Sequence, residues 1–256
     1  MELPGRLASL ELSDWALLVV APFVGSFLGV VIRRLPEGRA VIWGRSACEA
    51  CGIALAARDL VPLLSWLVGQ GRCRRCGHAL GWFYPAVELA AFAVAAIAVA
   101  VDGSARAWLD CLLGWWLLAL GWIDLRHWLL PDALTLPLLF AGLIAAAVFD
   151  PADLAERAAA AALGYLALRL VAELYRRLRH REGLGQGDAK LLGAAGAWLG
   201  LAALPQVVLL AALAALAAAG GLNLAGRRLQ AHSALPFGPF LALAIWSLWL
   251  FGPAAL

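Results

Sequence analysis

The sequence predicts an all-α protein that crosses a membrane about eight times and carries one small polar insert. Of its 256 residues, 64 % are hydrophobic and only 14 % are charged, and the mean hydropathy is +0.84. Soluble globular domains average about 45–50 % apolar and about 25 % charged residues. The apolar residues also fall in runs of roughly 20, the length of a helix that spans a bilayer. The net charge of +3 does not indicate a nucleic-acid partner.

Eight apolar runs are predicted to be transmembrane helices. They cover residues 15–32, 83–101, 107–123, 129–149, 154–175, 189–203, 205–225 and 235–251. The sixth and seventh are divided only by Leu204 and Pro205, so one long, kinked segment is the alternative there. The first run lacks a basic start and is followed by Arg33 and Arg34, which predicts a retained helix rather than a cleaved signal peptide.

Composition divides the chain into three parts: a first transmembrane helix at 1–32, a polar insert at 33–82 and a transmembrane core at 83–256. Arginines are concentrated in the insert and in three later connections. Those connections are 124–127, 176–187 and 226–233. With eight spans, all of these basic segments fall on one side of the membrane, and the positive-inside rule makes that side the cytoplasm.

Two aspartates stand at the edges of apolar runs. Asp124 follows the third run and Asp188 precedes the sixth, and the two spans between them return the chain to the same face. Ionisable groups at a membrane boundary are costly unless they are used, and two carboxylates can serve as base and acid toward a water molecule. A close pair resists double ionisation and titrates as a unit. The pair is therefore predicted to be a functional site, in which one carboxylate acts as base and the other as acid toward a water molecule.

Four further residues are predicted to contact a substrate. Gly185 and Gly187 flank Gln186 just before Asp188, and glycines let a peptide chain approach the backbone closely. Lys190 either extends to the lipid headgroups or contacts substrate. Glu88, just inside the second span, either bonds another helix or contacts substrate. A transporter or ion channel that uses the acids as an ion path is the alternative function, although it predicts acids spread across the bilayer depth.

The insert contains two Cys-x-x-Cys pairs separated by 21 residues. The four cysteines are Cys48, Cys51, Cys73 and Cys76. This pattern indicates a tetrahedral structural zinc site. Two disulfides are disfavoured because the cytoplasm keeps thiols reduced, and a redox dithiol is disfavoured because no βαβ pattern surrounds the pairs. An insert of some 50 residues has too small a core to fold alone, so a metal ion would stabilise it.

Several blocks along nearly the whole chain resemble the type IV prepilin leader peptidases, aspartic proteases of the bacterial inner membrane. The blocks are Ser26-Phe27-Leu28, Arg34-Leu35-Pro36, the two cysteine pairs around Pro62-Leu63-Leu64-Ser65-Trp66-Leu67, Tyr84-Pro85-Ala86-Val87-Glu88, Ile123-Asp124, Leu130-Pro131-Asp132, Gly185-Gln186-Gly187-Asp188-Ala189-Lys190 and Pro236-Phe237-Gly238-Pro239-Phe240. By this resemblance, Asp124 and Asp188 match the catalytic dyad and the cysteines match a cytoplasmic motif. Gly29 departs from the family, which often has asparagine there.

The resemblance implies a substrate and a second activity. It implies cleavage of the short basic leader of type IV prepilins or pseudopilins after a glycine, at the cytoplasmic face, in pilus assembly or type II secretion. It also implies N-methylation of the new N-terminus with S-adenosylmethionine. The sequence has no recognisable nucleotide-binding loop, so no residue is assigned to that donor. The expected partners are prepilin-type precursors and the lipid bilayer.

Overall fold

A computed structural model describes residues 11–179, 185–226 and 235–252 and confirms the all-helical class. The helices are α1 Leu12–Arg34, α2 Leu64–Val68, α3 Phe83–Val101, α4 Ser104–His127, α5 Asp132–Phe149, α6 Leu154–Arg179, α7 Gln186–Leu199, α8 Leu204–Leu224 and α9 Gly238–Phe251. Short 3₁₀ turns occur at Ala57–Asp59 and Pro151–Asp153. Of the arginines in the basic connections used to orient the chain, Arg181, Arg227 and Arg228 lie outside the described residues.

Each of the eight predicted spans coincides with a helix, and six helices in the described part of the chain are long and apolar enough to cross a membrane. The protein is therefore a multi-pass membrane protein. Helices α7 and α9 have only 14 residues each, which at 1.5 Å per residue gives about 21 Å, less than the roughly 30 Å of a bilayer core. Gly200, with φ of 82°, ends α7, and Pro205 stands in the first turn of α8. The sixth and seventh segments are thus separate helices.

The chain forms two compact units, Met1–Ala119 and Leu120–Leu256. The predicted boundaries at residues 32 and 82 follow composition and stay a prediction. In the first unit α1 packs against α3. A side chain at Gly25 would place its Cβ 2.6 Å from the Cα of Glu88, so glycine is what allows the two helices to approach there. Trp115 of α4 donates its indole N–H to the Ala91 carbonyl at 2.9 Å.

In the second unit α7 packs against α5, α6 and α9. A Cβ at Gly196 would lie 2.5 Å from the carbonyl carbon and oxygen of Ala160 in α6, a backbone contact of the kind that small residues allow between membrane helices. Trp198 donates its indole N–H to the Leu138 carbonyl in α5 at 2.9 Å. Its ring also meets Trp249 of α9 edge to face, with centroids 5.3 Å apart. These contacts fix α7 in the unit.

Candidate active site and metal centre

Asp124 lies in the last turn of α4 and is buried, with 7 % of its surface exposed. Its Oδ2 accepts the backbone N–H of Gly238 at 3.0 Å. Gly238 is the first residue of α9, where free N–H groups and the helix dipole favour a carboxylate. A Cβ at this glycine would lie 2.6 Å from the same oxygen, so only glycine permits this contact.

Asp188 lies in the first turn of α7 and is also buried, with 8 % of its surface exposed. Its Oδ2 accepts the backbone N–H of Gly185 at 3.2 Å. The carboxylate thereby caps the N-terminus of its own helix, as acidic residues do at this position. Like Asp124, it is held through one oxygen by a backbone amide at a helix start.

The structure brings the two predicted catalytic aspartates together. Asp124 and Asp188 lie close enough to interact electrostatically. They reach this arrangement because α9, whose first residue binds Asp124, packs against α7, which carries Asp188. Two buried carboxylates that interact resist double ionisation. Such a pair can take a proton from water and give one to a leaving group.

The neighbouring residues predicted to contact substrate have structural contacts of their own. A Cβ at Gly187 would lie 2.7 Å from the Cβ of Leu130, so this glycine lets the start of α7 pack against the segment that precedes α5. Lys190 forms an ion pair with Asp132, the first residue of α5. It also lines an open, apolar groove of about 440 Å³ between α5 and α6.

Glu88 lies in the first unit, on α3, and is buried with 5 % exposed. Its Oε2 accepts the backbone N–H of Leu63 at 2.8 Å, and the hydroxyl of Ser26 in α1 also bonds the carboxylate. The carboxylate therefore joins α1, α3 and the insert. The alternative interpretation, a bond to another helix, agrees with the contact to Ser26 in α1, and a substrate contact stays a prediction.

The two cysteine pairs form matching turns. Cys48 donates its N–H to the Ile53 carbonyl and accepts one from Gly52, and Cys73 does the same with His78 and Gly77. Gly52 and Gly77 have φ values of 68° and 72°, in the left-handed region that glycine adopts without strain. Each pair is thus presented on a tight turn of the same design.

The four sulfur atoms fit a metal ion. They all lie within 4.8 Å of one another, and the Cys48 and Cys76 sulfurs are 3.8 Å apart. Zinc held tetrahedrally by sulfurs at about 2.3 Å would separate them by about 3.8 Å. Backbone N–H groups of Cys51 and Ala50 lower the pKa of the Cys48 thiol to about 6, and the thiolate is the form that binds metal. All four cysteines are free thiols.

Sequence reasoning missed Gly238 as part of the site. It stands in the block Pro236-Phe237-Gly238-Pro239-Phe240, which matched the family without a role attached to it. A glycine ahead of a proline at the start of an apolar helix is itself a signal, because Pro favours the first helical turn and glycine allows close approach. The sequence pattern does not indicate which side chain would lie against Gly238.

Fold and site together define a multi-pass membrane protein with a buried aspartate pair and a four-cysteine cluster. Family models match two successive parts of the chain: the Bacterial Peptidase A24 N-terminal domain over residues 19–101 and the Type IV leader peptidase family over residues 111–220. No solved structure matches the chain.

Curated relatives agree with the family models. A prepilin leader peptidase/N-methyltransferase of Burkholderia pseudomallei is 44 % identical over 252 residues, covering 88 % of this chain and 81 % of the relative. Proteins of the same name from Aeromonas salmonicida and Pseudomonas aeruginosa are 38 % and 37 % identical, covering 90 % and 92 % of this chain and 87 % and 89 % of their own. The chain belongs to the type IV leader peptidase family. The transporter or channel alternative is not favoured by these relatives.

Proposed function

We propose that the protein is a membrane aspartic endopeptidase that removes the short basic leader of type IV prepilins or pseudopilins. Cleavage follows a glycine at the cytoplasmic face of the bacterial inner membrane, and the new N-terminus is then N-methylated with S-adenosylmethionine. The observation that carries the peptidase proposal is the buried, interacting pair Asp124 and Asp188. The relatives named prepilin leader peptidase/N-methyltransferase support the substrate and the second activity.

In the proposed mechanism, the ionised member of the pair takes a proton from water as the water oxygen attacks the scissile carbonyl carbon. The protonated member gives its proton to the carbonyl oxygen or to the leaving amine. The C–N bond then breaks, which releases the leader with a new carboxylate and the mature chain with a free amine. Because Asp124 and Asp188 are each held through one oxygen by a backbone amide, their positions are fixed before substrate binds, which lowers the cost of reaching the transition state.

The surroundings of the pair suggest how a precursor is held. A Cβ at Gly185 would lie 3.2 Å from Oδ2 of Asp188, so the glycine has no side chain that would keep a peptide away from this carboxylate. Lys190 lies two residues further on, at the apolar groove of about 440 Å³. We propose that the extended cleavage segment passes the glycines while the apolar stem of the precursor packs in this groove, with Lys190 at the side of the chain.

The cysteine cluster takes a structural role in this proposal. Four thiolates would complete the coordination of a zinc ion and leave no position for water or substrate. Cys48, Cys51, Cys73 and Cys76 would therefore hold the two turns of the insert together rather than perform chemistry. The number of ligands and the sulfur separations support zinc.

The peptidase proposal is tested by Asp124→Asn and Asp188→Asn in the full-length protein. Each variant keeps the side-chain shape and one carbonyl oxygen for the backbone amide, but neither can take a proton from water at that site. We expect both variants to lose cleavage of a prepilin-type precursor, read by product mass, while folding and zinc content stay at the wild-type level.

Asp153→Asn is the matched control, because Asp153 is an exposed residue in the turn before α6. It is expected to cleave at the wild-type rate. Cleavage retained by Asp124→Asn or by Asp188→Asn would remove that residue from the mechanism. The same reactions run with and without S-adenosylmethionine report the methyl increment separately from the cut.

A further inference from the structure

The polar insert contains an apolar segment that the peptidase mechanism does not use. Residues 60–68 are nine residues without a charged side chain, and helix α2, Leu64–Val68, occupies their second half. Nine residues are too few to cross a bilayer, since a spanning helix needs about 20. An apolar segment of this length is either buried in a protein core or lies in the membrane interface.

One side of α2 is not covered by the unit to which it belongs. Leu64, Leu67 and Val68 are 61 %, 62 % and 72 % exposed, and their i, i+3, i+4 spacing puts them on one face of the helix. These three residues are called the α2 face below. Ser65 and Trp66 instead line a cavity of about 550 Å³ that Glu88 also lines. The hydroxyl residue is thus turned inward and the leucines outward, the reverse of a helix on the surface of a soluble domain.

The position of α2 along helix α3 places it at the edge of the membrane. Helix α3 has 19 residues, which gives a length of about 28 Å, close to the roughly 30 Å of a bilayer core. Its first residue, Phe83, therefore lies at the membrane boundary. Leu63 donates its N–H at 2.8 Å to Glu88, which stands about 7.5 Å further along the α3 axis. Trp66 donates its indole N–H to the Gly81 carbonyl, just before α3, at 2.9 Å.

Helix α1 gives the same level. The hydroxyl of Ser26 also bonds Glu88, and Ser26 lies about 12 Å along the helix axis before Arg34, in the basic last turn of α1. A Cβ at Gly29 would lie 2.7 Å from the Tyr84 ring, so α1 and α3 stay in close contact up to the first turn of α3. The carboxylate that anchors α2 is therefore deeper than the arginines that end α1.

The backbone of the segment is satisfied within the protein. A segment can leave water at low cost only if its backbone groups find such partners. The Leu63 N–H goes to the buried carboxylate of Glu88, and the N–H groups of Leu64, Ser65 and Leu67 bond carbonyls inside the segment. Glu88 thus takes the place that a water molecule would have at the start of a solvent-exposed helix.

Aromatic residues and charge also fit a lipid surface. Trp82, directly before α3, is 69 % exposed, and its ring packs against that of Trp66 with centroids 4.2 Å apart. Tryptophan is enriched where headgroups meet acyl chains. The insert, residues 33–82, carries eight arginines and three acidic residues, and anionic headgroups attract such positive charge. The surroundings of the α2 face are therefore those of an interfacial helix.

We infer that the α2 face and Trp82 insert among the lipids of the adjoining leaflet, at the boundary between headgroups and acyl chains. In the proposed function this leaflet is the cytoplasmic one. The occupant is lipid because the face lies at the depth of the ends of α1 and α3, which are themselves surrounded by lipid. The insert is thus held on the membrane by α2, while the cysteine turns hold it together internally.

The first test measures the depth of α2 with an environment-sensitive fluorescent amino acid at Leu67 of the full-length, zinc-loaded protein. The protein is placed in nanodiscs of phosphatidylethanolamine and phosphatidylglycerol, with part of the lipid brominated near either the carbonyl end or the methyl end of its acyl chains. We expect bromine near the carbonyl end to quench most of the fluorescence. Bromine at the methyl end, or iodide in the water, should quench little. Zinc content and melting temperature at the wild-type level report that the fold is intact.

Two labelled positions calibrate the depth. Phe92 of α3, 39 % exposed, lies about 14 Å from Phe83 along the axis, near the middle of the bilayer, so a label there should be quenched by bromine at the methyl end. Glu37 is exposed and follows the end of α1, so a label there should be quenched by iodide. Quenching of the Leu67 label by iodide alone would show the α2 face in water and refute the inference. A label shielded from iodide and from both bromines would show a protein on the face, such as a second copy of the chain, and would also refute it.

The second test begins with the unsubstituted protein. Nanodisc lipids that carry a photoreactive diazirine near the carbonyl end should form adducts on the α2 face, read by peptide mass spectrometry. Leu64→Ser/Leu67→Ser/Val68→Ser should lose most adducts within residues 60–68, whereas Trp43→Ser, which changes an 82 % exposed residue of the insert outside α2, should keep them. A wild-type protein labelled on α3 but not within residues 60–68 would overturn the inference. So would a triple variant that keeps the wild-type adducts, or equal losses in both variants.

Discussion

Gly238→Ala is expected to slow leader cleavage although it leaves both aspartates unsubstituted. The new Cβ would lie 2.6 Å from Oδ2 and 3.0 Å from Cγ of Asp124. Restoring an ordinary contact of about 3.5 Å moves the carboxylate by about 0.9 Å. That displacement breaks the 3.0 Å bond from the Gly238 N–H. A hydrogen bond to a charged group contributes about 1.5–3 kcal/mol, which corresponds to a loss of about 10- to 150-fold in rate.

The assay for this variant is the rate of leader removal from a membrane-inserted precursor, followed by product mass under single-turnover conditions. Gly220→Ala is the matched control, because it makes the same change in α8 where a Cβ meets nothing within 4 Å. It should cleave like the wild type. If Gly238→Ala, correctly folded, also cleaves at the wild-type rate, then the contact with α9 does not position Asp124 for catalysis, and the mechanism proposed above is wrong on that point.

Three further results are expected. The double variant Asp124→Asn/Asp188→Asn should cleave no more slowly than either single variant, because residues that act as a unit are not additive; a further large drop would mean that the two act independently. Cys48→Ser should lose most of the bound zinc by elemental analysis and lower the melting temperature, whereas zinc retained at the wild-type level would exclude the four-cysteine site. Gly196→Ala places a Cβ 2.5 Å from backbone atoms of α6 and should reduce unfolding stability by about 1–3 kcal/mol, whereas Gly221→Ala, in open space, should not; equal stabilities would contradict the close packing of α6 and α7.

Much of the fold was predictable because a bilayer imposes length and hydropathy on each helix. All eight predicted spans are helices, and the division at Leu204 and Pro205 follows from a glycine and a proline that the sequence displays. The short length of α7 and α9 was not predictable in the same way. Apolar residues continue beyond Leu199, for example, and only the positive φ of Gly200 ends the helix there.

The site was predictable where chemistry alone marks a residue. Two aspartates at the edges of apolar runs and two Cys-x-x-Cys pairs are costly or unusual enough to be recognised singly. Contacts between segments that are distant in the chain produce no comparable pattern in the sequence. The amide of Gly238 and the fit of Tyr84 against Gly29 depend on which helices become neighbours, and the cavity beside Glu88 depends on the path of the insert. None of these follows from the local sequence.

The bond between Gly238 and Asp124 joins residues 114 positions apart, and this separation has a consequence for how the protein matures. Chains are synthesised from the N-terminus, so both aspartates are made before the amide that holds one of them. A nascent chain that has inserted only as far as α8 already contains both Asp124 and Asp188. Asp124 then lacks the hydrogen bond from the Gly238 N–H. The proposed peptidase is therefore expected to reach its full rate only when α9 has been made and has packed, and an unfinished chain is expected to cut precursors more slowly.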